Sequence, residues 1–220
     1  LIVSVAGSMA TLTLIRGADL VAAPWKNGGG VTREVAAFPS NAGLNDFVWR
    51  VSIADVAQAG PFSRFEGVDR TLVLLSGAGM VLDETDAPKE VPLGGGAHTV
   101  RSHTLTQALD IARFDGEARI DARLIHGATR DFNLMVRRDA AQGEVDVWRG
   151  QSQQSTQHTL SADVVLLFCA SGSVTLKPGD TQALQLEAGD TLRIDAPTAL
   201  RCALEGAGAV LAISIRYTPR

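Results

Sequence analysis

The chain has 220 residues, of which 45% are apolar and 20% charged, and its net charge is −4. A chain of this size buries roughly 70% of its unfolded surface, so it needs neither disulfides nor a structural metal to hold a core. The mild acidity argues against a general nucleic-acid binder, which would carry a basic patch and a high pI, and gives no attraction to anionic membranes.

The first residues, Leu1 to Ala6, are apolar but too short to span a bilayer, and they lack the basic start of a signal peptide. Gly7-Ser8-Met9 reads as a vector-derived junction with the natural start at Met9, so residues 1–8 are set aside. Next comes Trp25-Lys26-Asn27-Gly28-Gly29-Gly30, leading into a strand in which Thr32 and Glu34 share a face. Glycines belong where a backbone turns with positive φ or approaches something closely. Phe47 to Ile53 alternates again, with Arg50 and Ser52 on one face and Trp49, Val51 and Ile53 on the other. Ile53 to Ala59 is the one stretch that reads as a short helical turn. Gly60-Pro61-Phe62-Ser63 through Gly67-Val68-Asp69-Arg70 is a loop anchored by two Phe; it reads either as simple anchoring with Asp69 and Arg70 as surface charge or as a loop that closes the mouth of a pocket.

Strand signals then dominate: Leu72–Leu75, Met80–Leu82, Asp131–Val136, Val164–Phe168, Val174–Leu176, Thr191–Ile194 and Val210–Ile215. Turn chemistry separates them at Ser76-Gly77, Gly94-Gly95-Gly96, Pro178-Gly179-Asp180, Ala188-Gly189-Asp190 and Ala196-Pro197. The Gln- and Ser-rich segment from Gly150 to Thr159 reads as a surface loop or the fringe of a strand. Without a long amphipathic helix, βαβ architectures are disfavoured. The order of strand, glycine turn and strand from Asp69 to Leu82 recurs from Asp163 to Leu176, an offset of 94 residues. The fold expected is all-β, with two related β-domains at 9–120 and 121–220 and exchange of strands between the halves allowed. The element Leu186-Glu187-Ala188-Gly189-Asp190-Thr191 resembles a cupin feature, the turn into the next strand of a small barrel, and this resemblance implies two tandem cupin-like jelly-roll barrels.

A metal cupin needs two histidines one residue apart, a carboxylate and a later histidine converging from neighbouring strands. His98, His103, His126 and His158 form no such pattern, so no metal and no other cofactor is expected. No nucleophile elbow, P-loop or dinucleotide fingerprint is present. Cys169 and Cys202 lie in apolar runs and read as buried free thiols, as in a reducing cytoplasm. What remains is a set of polar residues at strand-alternating spacing: Thr32 and Glu34, Arg50 and Ser52, Asp131 and Asn133. If those faces point inward they form an ion-pair network or a ligand pocket, because buried charges persist only when paired. If they point outward they are ordinary solvated faces.

Four ordered blocks resemble the HutD family, which includes the Ves proteins. They are Pro24 to Glu34, Trp49-Arg50-Val51-Ser52-Ile53-Ala54, Gly60-Pro61-Phe62-Ser63 through Asp69-Arg70, and Asp131-Phe132-Asn133-Leu134-Met135-Val136-Arg137-Arg138. The resemblance implies a two-cupin fold without the usual metal histidines and an association with bacterial histidine utilisation. Carried onto matching positions, it offers Asn27, Thr32, Glu34, Arg50, Ser52, Asp69, Arg70, Asp131 and Asn133 as polar ligand-binding candidates. Trp25, Trp49, Phe62 and Met135 are its candidate walls.

The function expected is a cytoplasmic small-molecule-binding protein, accessory or regulatory to histidine catabolism. Its partner would be a small anionic metabolite such as formylglutamate or urocanate. Arg50 would hold a carboxylate, Glu34 and Asp131 would orient it or accept a ligand N–H, and the amides of Gly28 to Gly30 would close over the ligand. The alternative is a metal-independent isomerase, epimerase or hydrolase with Glu34 or Asp131 as general base. A protein-interaction module with a vestigial pocket is a third reading, and the sequence leaves room for a homodimer.

Overall fold

The computed structural model describes residues 2–4, 10–85 and 100–219. They form two compact units, one of Leu1–Leu20 with Ala140–Arg220 and the other of Val21–Asp139. Among the described residues the only helical element is a 3-10 turn at Gly17–Asp19. No helix there is long and apolar enough to cross a membrane.

The Val21–Asp139 unit is built from two antiparallel sheets. The larger has the order β10 (Ile111–Asp115), β7 (Val68–Ser76), β12 (Thr129–Arg137), β5 (Trp49–Val56), β4 (Gly30–Phe38), β3 (Ala22–Pro24). The smaller has the order β6 (Gly60–Pro61), β11 (Arg119–Leu124), β8 (Met80–Thr85), β9 (Val100–Leu105). Alternation along β7 sends Leu72 and Leu74 inward, where they meet Met80 and Leu82 of β8 and Ile120 of β11 in one apolar core.

The other unit repeats the plan. Its larger sheet runs β1 (Ile2–Ser4), β2 (Thr11–Ile15), β18 (Thr191–Asp195), β15 (Val164–Ser171), β20 (Ala209–Tyr217), β13 (Ala141–Arg149). Its smaller sheet runs β14 (Thr156–Leu160), β19 (Leu200–Glu205), β16 (Ser173–Pro178), β17 (Leu184–Glu187). Val165, Leu167 and Val210 pack there against Val174, Leu176 and Leu204. The strand order β10-β7-β12-β5 of one unit matches β18-β15-β20-β13 of the other, and β6-β11-β8-β9 matches β14-β19-β16-β17.

The structure corrects several sequence expectations. The barrels are pairs of open sheets, with β3 and β10 as sheet edges. The division of the chain does not fall at 120/121, because β12 sits between β5 and β7 while β2 pairs with β18. The 94-residue offset superposes Met80 on Val174 and Leu82 on Leu176. In the preceding strand, however, the core positions Leu72 and Leu74 correspond to Leu167 and Cys169, one residue further on. From Leu74 to Met80 is one residue more than from Cys169 to Val174, and with a period of two that flips the face relative to the offset. Ile53–Val56 completes β5 rather than a helical turn, with Ala54 and Val56 in the core. The Gly150–Thr159 segment holds a Gln151–Gln154 bridge and most of β14. The Gly94-Gly95-Gly96 turn and His98 lie outside the described residues.

Candidate functional site

Strand register assembles the site. On β12, Asp131, Asn133 and Met135 point to the inner face. Asp131 lies opposite Ala54 and Leu74, Asn133 opposite Ser52 and Leu72, and Met135 opposite Arg50 and Arg70. On β4, Thr32 faces Ala54 and Glu34 faces Ser52; a bulge at Val35 then shifts the register so that Ala37 opposes Arg50. Arg50 and Glu34 therefore meet on a diagonal. These side chains open into a cavity of 740 Å³ within the Val21–Asp139 unit, walled by Trp25, Phe62, Phe65 and Leu44.

Arg50 Nε donates to Glu34 Oε2 at 2.7 Å, and Arg50 Nη1 donates to Ser52 Oγ at 3.2 Å. The Arg50 side chain is 12% exposed and that of Glu34 40%. Arg70 is more deeply held. Its guanidinium carbon lies 5.3 Å from the Phe62 ring, 5.8 Å from Phe65 and 5.1 Å from Phe114. Arg70 Nη1 donates to the Ser63 carbonyl at 3.2 Å. Burial lowers its pKa to about 10, with Asp131 opposing the fall and Arg50 adding to it. Asp131 is 2% exposed. Burial pushes its carboxyl up to about 7 against the pull of Arg70, and Asp55 adds to the rise. Arg70 Nε, Asp131 Oδ2 and Asn133 Oδ1 are buried with no hydrogen-bond partner.

The glycine segment shapes the rim. Trp25 Nε1 donates to Thr32 Oγ1 at 2.7 Å, which fixes the indole over Gly30. A Cβ on Gly30 would come within 2.6 Å of the Asp55 carbonyl and 3.1 Å of the Trp25 ring. The glycine amides do not close over a ligand as the sequence suggested. The Gly28 amide donates to the Trp25 carbonyl and that of Gly29 to Asn27 Oδ1, so the segment satisfies itself.

Of the sequence candidates, Trp25, Asn27, Thr32, Glu34, Arg50, Ser52, Phe62, Arg70, Asp131, Asn133 and Met135 all line the cavity. Two do not. Trp49 is fully buried on the opposite face of β5, stacked on Phe38 at 6.4 Å between ring centroids. Asp69 is exposed and pairs with Arg138. Strand alternation excludes both, since each is adjacent in sequence to an inward arginine. The sequence reading missed Phe65, Ser63, Lys26 and the Ala42-Gly43-Leu44 segment. Phe65 was visible as the second anchor of its loop, whereas nothing periodic marks Ala42 to Leu44.

The remaining candidate chemistry is structural. Cys169 and Cys202 are buried and free, and burial raises their thiols to about 11 and about 12. His158 stacks on Trp148 at 3.7 Å, and His103 Nε2 lies 3.6 Å from Glu84 Oε2. No group of three or more His, Cys, Asp or Glu that could hold a metal occurs among the described residues.

The chain is 34% identical over 187 residues to an uncharacterized 21.2 kDa protein in the hutC 3′ region of Pseudomonas putida, covering 85% of this chain and 88% of that one. HutD from Pseudomonas fluorescens SBW25, solved in a formate condition, has a similar structure. The TM-score is 0.74 at 28% identity, covering 94% of this chain and all of the other. Protein Ylba of E. coli, of the DUF861 type, shares the cupin-like fold at a TM-score of 0.66 and 10% identity, covering 100% of this chain and 94% of that one. The HutD family model itself matches residues 17–212, and its span covers the whole Val21–Asp139 unit, most of the other and every cavity residue named above: the chain belongs to the HutD family.

Proposed function

We propose that the chain is a bicupin that binds a small anionic metabolite in the Val21–Asp139 cavity and serves histidine utilisation in the cytoplasm as an accessory or regulatory protein. One observation carries the reading: two guanidiniums, Arg50 and Arg70, flank Met135 and face the same cavity. Their carboxylate company is weak. Glu34 is 40% exposed and free to swing aside, and Asp131 is drawn towards its neutral form by burial. A ligand carboxylate completes the charge balance, and a planar guanidinium fork is suited to it. The tie to histidine utilisation rests on the names of the relatives, and formylglutamate and urocanate are the first compounds to try.

A thermal-shift titration with small carboxylates tests the reading. A ligand at about 100 times its Kd adds roughly 2.7 kcal/mol of stability, and Arg50→Ala abolishes the shift. If no carboxylate stabilises the protein at millimolar concentration, or if Arg50→Ala responds like the parent, the reading fails. Asp131 favours one second reading, a metal-independent enzyme acting on the same ligand class: a buried carboxyl near neutrality is poised to take a proton from a substrate. Turnover of a bound carboxylate that stops in Asp131→Asn would establish it.

A further inference from the structure

The cavity has two chemically different ends. Arg50 and Arg70 share a row of the sheet with Met135, and Asp131 lies two rows further along β12. At about 3.3 Å per residue the two rows are roughly 13 Å apart between Cα atoms. Asn133 stands between them, 8% exposed. Asp131 Oδ2 and Asn133 Oδ1 are acceptors buried without a partner. A buried acceptor left unpaired is a standing penalty that a native structure resolves or uses. A simple carboxylate engages the arginines and leaves both acceptors as they are.

Resting on the proposed function, we infer that the ligand is a carboxylate that also carries a hydrogen-bond donor, an N–H or O–H, which it presents to Asp131 and Asn133 while its anionic group meets Arg50 and Arg70. The cavity thus discriminates by polarity along the ligand rather than by charge alone. A site that hydrogen-bonds a donor rejects the analogue lacking it far more strongly than an apolar pocket rejects a missing methylene. Asn133 Oδ1 is an acceptor whatever the charge of Asp131, whose carboxyl burial raises to about 7 while Arg70 pulls against the rise. Ser52, opposite Asn133 on β5, is already engaged by Arg50.

The experiment uses the whole chain and probes matched in shape. N-acetylglycine is compared with levulinate, in which a CH₂ replaces the N–H, and 3-hydroxybutyrate with 3-methylbutyrate, in which a methyl replaces the hydroxyl. Calorimetric titration is expected to show at least tenfold tighter binding of the donor-bearing member of one or both pairs. In Asp131→Leu and Asn133→Leu, whose side chains keep the shape but not the acceptor, the preference for the donor-bearing member falls below about threefold. If all four compounds bind the parent with equal affinity, the inference is overturned and the carboxylate reading survives. Tighter binding of levulinate or 3-methylbutyrate overturns it as well, and points to Asp131 as a proton donor. If none of the four binds and the wider thermal-shift series is also silent, the carboxylate reading falls, and this inference with it.

Discussion

Asp131 concentrates the physical tension of the site in one residue. Its carboxyl is raised by burial from the ordinary 3.8 to about 7. Ionising it inside the fold is uphill, so its contribution to stability is fully present below pH about 4 and is lost as the pH climbs through 7. Between those limits the native protein is expected to lose on the order of 4 kcal/mol relative to Asp131→Asn, which has no proton to give up. Urea unfolding of both proteins at pH 4, 6 and 8 checks this; curves that stay parallel would mean that Asp131 is ionised and satisfied. Arg50 behaves differently because its partner is half in water. Breaking a pair whose carboxylate is 40% exposed costs about 1 kcal/mol rather than the 3–5 of a buried pair. Arg50→Ala should therefore melt close to the parent without ligand and show no shift with it. Arg50→Lys keeps the charge but loses the fork, and it should lose most of the shift too. Arg70 is the buried counterpart. Arg70→Ala leaves Asp131 without its nearby cation and empties a box of three phenylalanines, an expected loss of about 3–5 kcal/mol in chemical denaturation.

The elements around the site show what a sequence reveals and what it hides. Strand alternation placed Arg50 with Ser52 and Asp131 with Asn133 correctly, because a period of two survives wherever a strand is regular. The same rule assigns Trp49 and Asp69 to the far face, so their inclusion came from family blocks and not from geometry. The bulge at Val35 was not legible, since no residue type announces it, yet it puts Ala37 instead of Ala36 opposite Arg50; Glu34, opposite Ser52, meets Arg50 on the diagonal. The Ala42-Gly43-Leu44 wall was hidden for another reason: a loop has no periodicity to read. The triple glycine was legible as a special place but not in its mechanism. Gly28 has φ +71° with nothing near a Cβ, whereas Gly30 has no room for one. Gly28→Ala should cost about 1 kcal/mol and leave ligand affinity unchanged. Gly30→Ala should cost about 1–3 kcal/mol and weaken binding as well, because the Cβ displaces Trp25. Melting and titration of the two variants side by side separate these roles.

At the scale of the molecule, two units share one strand plan, yet the inner polar set belongs to one of them. Where Asp131, Asn133 and Arg70 line a cavity, the other unit has Val165, Val210 and Ala212 in its core. Its stability depends on a polar clamp elsewhere: Asp190 accepts from the Gly17 amide at 2.9 Å, from Arg16 Nη1 at 2.6 Å and from the Glu187 amide at 3.1 Å. Asp190→Ala strands these donors and should cost about 2–4 kcal/mol. Carboxylate affinity, measured by titration well below the melting transition, is expected to stay within twofold of the parent. A large loss of affinity would show that the clamp reaches the cavity after all.

The strand β2 is made long before its partner β18: Leu12 pairs with Ile194 and Thr13 with Arg193. Everything needed for the Val21–Asp139 unit is made in between. The nascent chain can therefore finish this cavity while the edge of β2 that receives β18 is still unmatched. Such an edge invites wrong pairing until its partner arrives. A molecule assembled in this order has its cavity in place before its other large sheet is complete.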